Sequence, residues 1–138
     1  DLIRGMYNVL SKTQKIALVN MARIIFTANG SSVYDFKNHP MFSDLLLNLQ
    51  VNFREAVSEF DRSGEPGVVT ELTKAHDKNN DLIMMVMPLL PFTGDQFGPN
   101  EQRIEKFYEL LVEIGYQQSE IDSEIEKMIA LSQMFGMK

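Results

Sequence analysis

The stretch FTGDQFGPNE, residues 92–101, holds residue types from which a cation site or a tight turn can be built. It offers the carboxylates of Asp95 and Glu101, two side-chain amides, one threonine hydroxyl and several backbone carbonyls. A hard cation such as Ca²⁺ takes about six or more oxygen ligands, so a second loop would have to complete such a site. Two glycines and a proline suit the same stretch to a turn between two helices.

The turn interpretation accounts for these residues without a ligand. Pro99 suits the first position of a helix, where its missing N–H costs nothing. Glu101 would then lie in the first helical turn, facing free amides and the positive end of the helix dipole. The side chain of Phe97 would pack onto the core and anchor the turn. We therefore expect an inter-helix turn with at most weak affinity for cations.

The other candidate sites lack parts that their chemistry requires. The stretch DKNND, residues 77–81, begins like an EF-hand loop, but Leu82 stands where the loop needs glycine and Pro88 where it needs glutamate. The two histidines, His39 and His76, belong to no zinc-binding spacing. The sequence has no phosphate-binding loop, dinucleotide fingerprint or nucleophile elbow. We therefore predict a protein without enzymatic activity.

Composition narrows the class of protein. A chain of 138 residues with 44% hydrophobic residues can bury one sizeable core, and is too apolar to be disordered. It contains no cysteine, which excludes disulfides and thiolate chemistry and fits a cytoplasmic setting. We expect no membrane span, because no apolar run reaches about 18 residues, and we see no signal-peptide layout. A net charge of −6 argues against binding to nucleic acid.

Helical spacing of apolar residues predicts the fold class, an all-α, compact bundle of about seven helices without a sheet. A capping box formed by Ser11 and Gln14 begins the first long helix. Residues 31–40 are predicted to be a loop, with Asn38 or His39 capping the next helix. Further helices are expected to begin at Pro66, at Asn80 or Asp81, at Pro99 and at Ser119. Pro88 should kink or shorten the helix that contains it.

The clearest amphipathic helix is NEQRIEKFYELLVEIG, with an apolar stripe beginning at Ile104 and a stop at Gly115. Combining the stripes of all segments gives a predicted core. Its members are Phe26, Leu46, Phe53, Met85, Leu89, Phe107, Leu111, Ile114 and Ile125.

We expect a single helical domain over residues 1–138. Two related halves, 1–62 and 66–138, are an alternative arrangement, because DRSGEPG is the clearest internal break. The stretches LVNMARIIFTANG and MMVMPLLPFTGDQ also align at a fixed offset. Each runs from an apolar helix into a small polar turn, so two helix-turn-helix units would explain the similarity.

One family shares this layout. LLPFTGDQFGPNEQRIEKFYELLVEIGYQQSEID resembles the second half of tellurite-resistance TerB-like helical domains, which place an Asp-Gly turn and a glutamate before an amphipathic helix. Gly94 and Asp95 stand at that turn in inverted order, and Glu101 takes the acidic position. MARIIFTANGSSVYDF is similar to the first half, with Asn29 where aspartate is usual and Asp35 as the nearest acid.

The resemblance covers about two thirds of the chain and implies a role for the acids at these turns. In TerB-like domains such turns are proposed to bind metal. The residues that would hold a divalent cation here are Asp95 and Glu101 from one turn, with Asn29 and Asp35 from the other.

Three functional hypotheses follow. The first is a non-enzymatic TerB-like interaction or scaffold domain, such as a stress-response accessory protein, whose partner is another protein or a second copy of the chain. The second is a divalent-cation binding module built on the acidic turns. The third is an acidic phage or mobile-element protein that inhibits a host factor. Nine methionines and the C-terminal MFGMK indicate an apolar surface that another chain covers.

Overall fold

Helices make up nearly all of the regular structure in residues 5–134, the part of the chain that the computed structural model describes. The predicted all-α fold is confirmed, although one two-stranded sheet is present where none was expected. The seven α-helices in these residues are α1 (Lys12–Thr27), α2 (Val33–Lys37), α3 (Phe42–Leu49), α4 (Phe53–Lys78), α5 (Leu82–Val86), α6 (Glu101–Ile114) and α7 (Gln118–Met134). Two 3₁₀ segments, Tyr7–Val9 and Met87–Thr93, and a hairpin of β1 (Gly94–Asp95) and β2 (Gly98–Pro99) complete the described structure.

The central element is α1, which begins at the predicted capping box. Ser11 Oγ accepts from the Gln14 N–H at 3.1 Å, and Gln14 Oε1 accepts from the Ser11 N–H at 2.9 Å. Its second half is buried on almost every side, because it packs mainly against α4 and also against α6 and the Met87–Thr93 segment. Inside the interface with α4, Asn20 Nδ2 donates to the Ala56 carbonyl at 3.0 Å.

The predicted break between the two halves is a kink within α4. Gly64 has φ 61° and ψ −162°, a conformation that L side chains rarely adopt, and Pro66 follows without an N–H to donate. Glu65 Oε2 forms an ion pair with Lys106 Nζ of α6 at 2.9 Å, and this pair connects the kink to α6. Buried residues on both sides of the kink belong to one hydrophobic core cluster.

Several predicted boundaries are wrong for local reasons. Neither Asn38 nor His39 caps α3, whose N-cap is Met41. Residues 31–40 contain the helix α2, because the Ser32 hydroxyl accepts from the Asp35 N–H at 3.0 Å and caps it. The last helix begins at Gln118 rather than Ser119, and the Gln117 N–H donates to Glu120 Oε1 at 2.8 Å. The expected effect of Pro88 is confirmed, since α5 ends at Val86 and a 3₁₀ segment follows.

The predicted core is mostly confirmed. Three of its members, Leu46, Phe53 and Ile125, are only partly buried at the edge of the core. The members that are buried as predicted are Phe26, Met85, Leu89, Phe107, Leu111 and Ile114.

The C-terminal MFGMK, which was expected to contribute to an apolar surface, is only partly described. Phe135 and Met137 lie outside the described residues, and Met134 is 74% exposed. No helix in residues 5–134 is long and apolar enough to cross a bilayer.

Candidate functional site

Arg103 of α6 joins the two turns that the sequence singled out. Its side chain is 1% exposed, and three of its nitrogens donate to different parts of the chain. Nε donates to the Phe26 carbonyl at 2.7 Å and Nη2 to the Ser31 hydroxyl at 2.9 Å. Nη1 donates to Asp95 Oδ2 of the hairpin at 3.0 Å. The turns therefore meet in space, and a guanidinium lies between them.

Each contact of Arg103 offsets part of the cost of burying its charge. A buried cation is stable only where a counter-charge and hydrogen-bond acceptors replace water. Asp95 supplies the counter-charge, and the Phe26 carbonyl is one of the acceptors left free in the last turn of α1. The guanidinium carbon also lies 3.9 Å from the centre of the Phe26 ring, a cation–π contact.

The hairpin holds Asp95 in position for Arg103. Asp95 Oδ1 accepts from the Phe97 N–H at 2.9 Å, which closes an Asx turn. Gly98 has φ +100°, and a side chain at Gly94 would come within 3.1 Å of the Gly98 carbonyl oxygen. The Phe97 N–H and then the Arg103 guanidinium hold the pKa of Asp95 below its usual range. Asp95 is therefore ionised wherever the fold is intact at neutral pH.

The start of α6 differs from the prediction. Pro99 lies in β2, paired with Gly94, and is not the first helical residue. Asn100 is the N-cap, because its side-chain oxygen accepts from the Arg103 N–H at 3.1 Å. Glu101 is the first residue of the helix and is exposed, so Asn100 performs the capping that was expected of Glu101.

His39 closes the other side of the site. Its Nε2 lies 3.1 Å from the Pro91 carbonyl oxygen and 3.2 Å from that of Gly94, and its Nδ1 accepts from the Met41 N–H at 3.1 Å. Nε2 must therefore carry the proton. The ring centre lies 4.4 Å from that of Phe92. Because the backbone uses both nitrogens, His39 fastens the segment before α3 to the hairpin.

A groove of about 820 Å³ opens between α2, the His39 segment and the hairpin. Its lining combines side chains of the two turns with proline rings and the phenyl rings of Phe26 and Phe97. Phe26 is buried, whereas Phe97 is 87% exposed, so the expectation that Phe97 packs onto the core is wrong. The Asx turn and Gly98 direct Phe97 away from the core, because they fix the tip of the hairpin. The groove is therefore bordered by a large apolar side chain in contact with water.

The structure brings two of the four predicted cation ligands to this groove. Asp35 and Asp95 line it, whereas Asn29 and Glu101 do not. Asn29 Oδ1 accepts from the Ser31 N–H at 3.0 Å, and both oxygens of Asp95 accept hydrogen bonds. In the described range 5–134, no three His, Asp or Glu side chains form a group that could hold a metal ion. Cation binding stays a prediction.

Sequence reasoning missed Arg103, the residue that organises the site. The signal was present, since Arg103 stands four residues before Phe107 on the buried face of α6. The expected stripe began at Ile104, which is 36% exposed, while Arg103 is fully buried. An arginine at helical spacing with a core stripe indicates a buried, paired cation. Its partners Ser31 and Phe26 lie too far away along the chain to be predicted.

Comparison with known proteins adds no relative to this picture. The chain matches no protein-family model, no curated protein and no solved structure.

Proposed function

We propose that this chain is a non-enzymatic interaction domain that binds a partner protein in the groove between α2 and the hairpin. The observation that carries the proposal is Phe97, which is 87% exposed beside an open groove of about 820 Å³. Burying a phenylalanine side chain contributes about 1.5–3 kcal/mol. A partner that covers Phe97 would recover that contribution.

The rigidity of the hairpin supports the same proposal. Its tip is held by the Asp95–Phe97 hydrogen bond at 2.9 Å, and the Arg103–Asp95 pair at 3.0 Å fastens it to α6. A further backbone bond, from the Asn100 N–H to the Thr93 carbonyl at 2.8 Å, closes its base. A loop whose backbone is already fixed has little backbone conformational entropy left to lose when a partner covers it. Aromatic residues presented in this way are frequent centres of binding energy.

A binding role agrees better than a catalytic one with the hydrogen bonds at the groove. The His39 ring uses both nitrogens on backbone groups, so proton transfer by it would break a structural bond. Asp95 is paired with Arg103, and its lowered pKa makes it a poor general acid. These groups hold the groove together.

We extend the proposal to a TerB-like domain acting as a cytoplasmic accessory protein in a stress response. Support comes from the meeting of the two turns, each of which follows an apolar helical segment and leads into another helix. The absence of cysteine from the sequence fits a reducing compartment.

A random peptide display library selected on the immobilised chain tests the groove. We expect enriched peptides to bind the wild type and to lose about tenfold in affinity on Phe97→Ala, ~1.4 kcal/mol. Leu131→Ala is the control, since Leu131 is 51% exposed and does not line the groove. The proposal is overturned if no peptides are enriched, or if Phe97→Ala binds the enriched peptides as well as Leu131→Ala does.

A further inference from the structure

The charges that line the groove are not equally accessible. Arg103 is its one arginine or lysine, and it is fully buried and paired with Asp95. That pair is close to neutral as seen from the groove. The remaining charged side chain is Asp35, which is exposed and makes no hydrogen bond or ion pair with the described residues 5–134. The free charge of the groove is therefore negative.

The neutral residues of the groove favour an extended polypeptide. Gln96 carries an amide that can both donate to and accept from a peptide backbone. Asn38 Nδ2 already donates to the Tyr34 carbonyl, so Asn38 offers mainly its side-chain oxygen as an acceptor. Phe97 presents an apolar ring with 87% exposure, and Pro40 and Pro91 add apolar rings without N–H donors. A peptide with one apolar side chain and one cationic side chain would use both features.

The net charge of the whole chain also favours a basic peptide. Its formal net charge is −6, which attracts a basic segment and repels an acidic one before contact is made. Electrostatic complementarity of this kind contributes more to specificity and association rate than to affinity. We therefore expect the groove to discriminate among peptides according to their charge.

We infer that the groove binds a basic peptide segment of the partner, with an arginine or lysine at Asp35 and a neighbouring apolar side chain at Phe97. This inference depends on the proposed function, because it specifies the occupant of the same groove. It is independent of any metal, since the cation it requires belongs to the partner.

The test uses an array of short synthetic peptides, each with random apolar residues and made in an arginine, a serine and a glutamate version. We expect the arginine versions to bind best and the glutamate versions worst, with each step about fivefold, or ~1 kcal/mol. Added salt should reduce the preference, because both charges are exposed to solvent. Phe97→Ala should weaken the arginine and serine versions alike.

Asp35→Asn isolates the electrostatic part. We expect it to lower binding of the arginine versions to the level of the serine versions, while Asp61→Asn, an exposed acid on α4 outside the groove, leaves the preference intact. Thermal melts of both variants should match the wild type.

Each remaining outcome is decisive. Equal binding of the three versions, all weakened by Phe97→Ala, would overturn the basic-segment inference and leave the proposed function standing. The same holds if the arginine preference survives Asp35→Asn. An array on which no peptide responds to Phe97→Ala would overturn both.

Discussion

Arg103 Nη1 donates to Asp95 Oδ2 at 3.0 Å, and the two side chains differ sharply in burial, at 1% and 35% exposed. A surface carboxylate thus neutralises a charge inside the core, where an unpaired guanidinium would be costly. The pair joins α6 to the hairpin that carries Phe97. The stability of the fold and the shape of the groove therefore depend on the same contact.

Replacing Arg103 should destabilise the fold strongly. Arg103→Ala removes three hydrogen bonds and leaves a void, so we expect the free energy of unfolding to fall by ~3–5 kcal/mol. Arg103→Met keeps much of the volume and should lose less. Denaturant unfolding gives both values. A loss below ~1 kcal/mol for Arg103→Ala would contradict the buried role of this residue.

The coupling between Arg103 and Asp95 is measured by a double-mutant cycle with Arg103→Met and Asp95→Ala. The double variant should lose less stability than the sum of the single variants, because each single change leaves the other group without its partner. Glu71 and Lys74 provide a matched control, with the same kind of ion pair at 3.1 Å on an exposed helix face. For that pair, the losses of unfolding free energy in the two single variants should add up to nearly the same value as the loss in the double variant.

Acid should weaken the fold through Asp95. Its pKa is lowered by the Phe97 N–H and then by Arg103, so it lies below that of the unfolded chain. The resulting stabilisation is complete above the unfolded value of about 4. It is lost as pH falls through the folded-state value. We expect Asp95→Asn to flatten the acid side of a stability–pH curve; an unchanged slope would show that Asp95 contributes nothing there.

Two residues about one turn apart test which face of α6 is buried. Phe107 is fully buried, so Phe107→Ala should lower the free energy of unfolding by ~3–5 kcal/mol. Ile104 is 36% exposed, and Ile104→Ala should cost less than ~1 kcal/mol. Similar losses at both positions would mean that the buried face of α6 is centred elsewhere.

The α6 comparison also shows how far the sequence could predict this molecule. Helical spacing identified Phe107 and Ile114 as core residues, since an apolar stripe at the helical period is visible in the local sequence alone. It placed Ile104 rather than Arg103 at the start of the buried face. The burial of Arg103 depends on Ser31 and Phe26, which are 72 and 77 residues away along the chain.

Local capping competition explains other errors. Pro99 and Asn100 both carry signals for a helix start, and the Asn100 side chain decides the boundary by accepting from the Arg103 N–H. Ser32 followed by Asp35 was a readable cap signal, and it identifies α2. The exposure of Phe97 could not be predicted from the sequence, because a large apolar residue in a turn is expected to pack on the core.

Two buried tyrosines should make the fold sensitive to alkali. Burial raises the pKa of Tyr7 to about 12, and burial followed by the charge of Glu120 raises that of Tyr116 to about 12. The unfolded value is about 10. Stability is therefore fully present below pH about 10 and is lost as pH rises towards 12. Ultraviolet titration should show that these two phenols ionise at a higher pH in the folded chain than in the urea-unfolded chain.

The same two tyrosines should differ at neutral pH. The Tyr7 hydroxyl donates to the Met85 carbonyl at 3.3 Å, so Tyr7→Phe should cost ~0.5–1.5 kcal/mol. The buried Tyr116 hydroxyl makes no hydrogen bond of good geometry with the described residues, although the Ile83 N–H lies close enough to lower its pKa slightly. Tyr116→Phe should therefore cost less than Tyr7→Phe. A loss at Tyr116 as large as that at Tyr7 would show that the Ile83 N–H donates to its hydroxyl.

Divalent cations should leave the stability of the wild type unchanged. Asp95 has Oδ1 on the Phe97 N–H and Oδ2 on Arg103, so a cation would have to break both bonds beside a fixed positive charge. A ligand that binds only the folded state must raise stability, and we therefore expect equal thermal midpoints with and without calcium, magnesium or zinc. Calorimetry on the wild type, Asp95→Asn and Glu101→Gln checks this directly. Binding at micromolar concentration that both substitutions abolish would establish the acidic turns as a cation site and overturn the structural role of the hairpin.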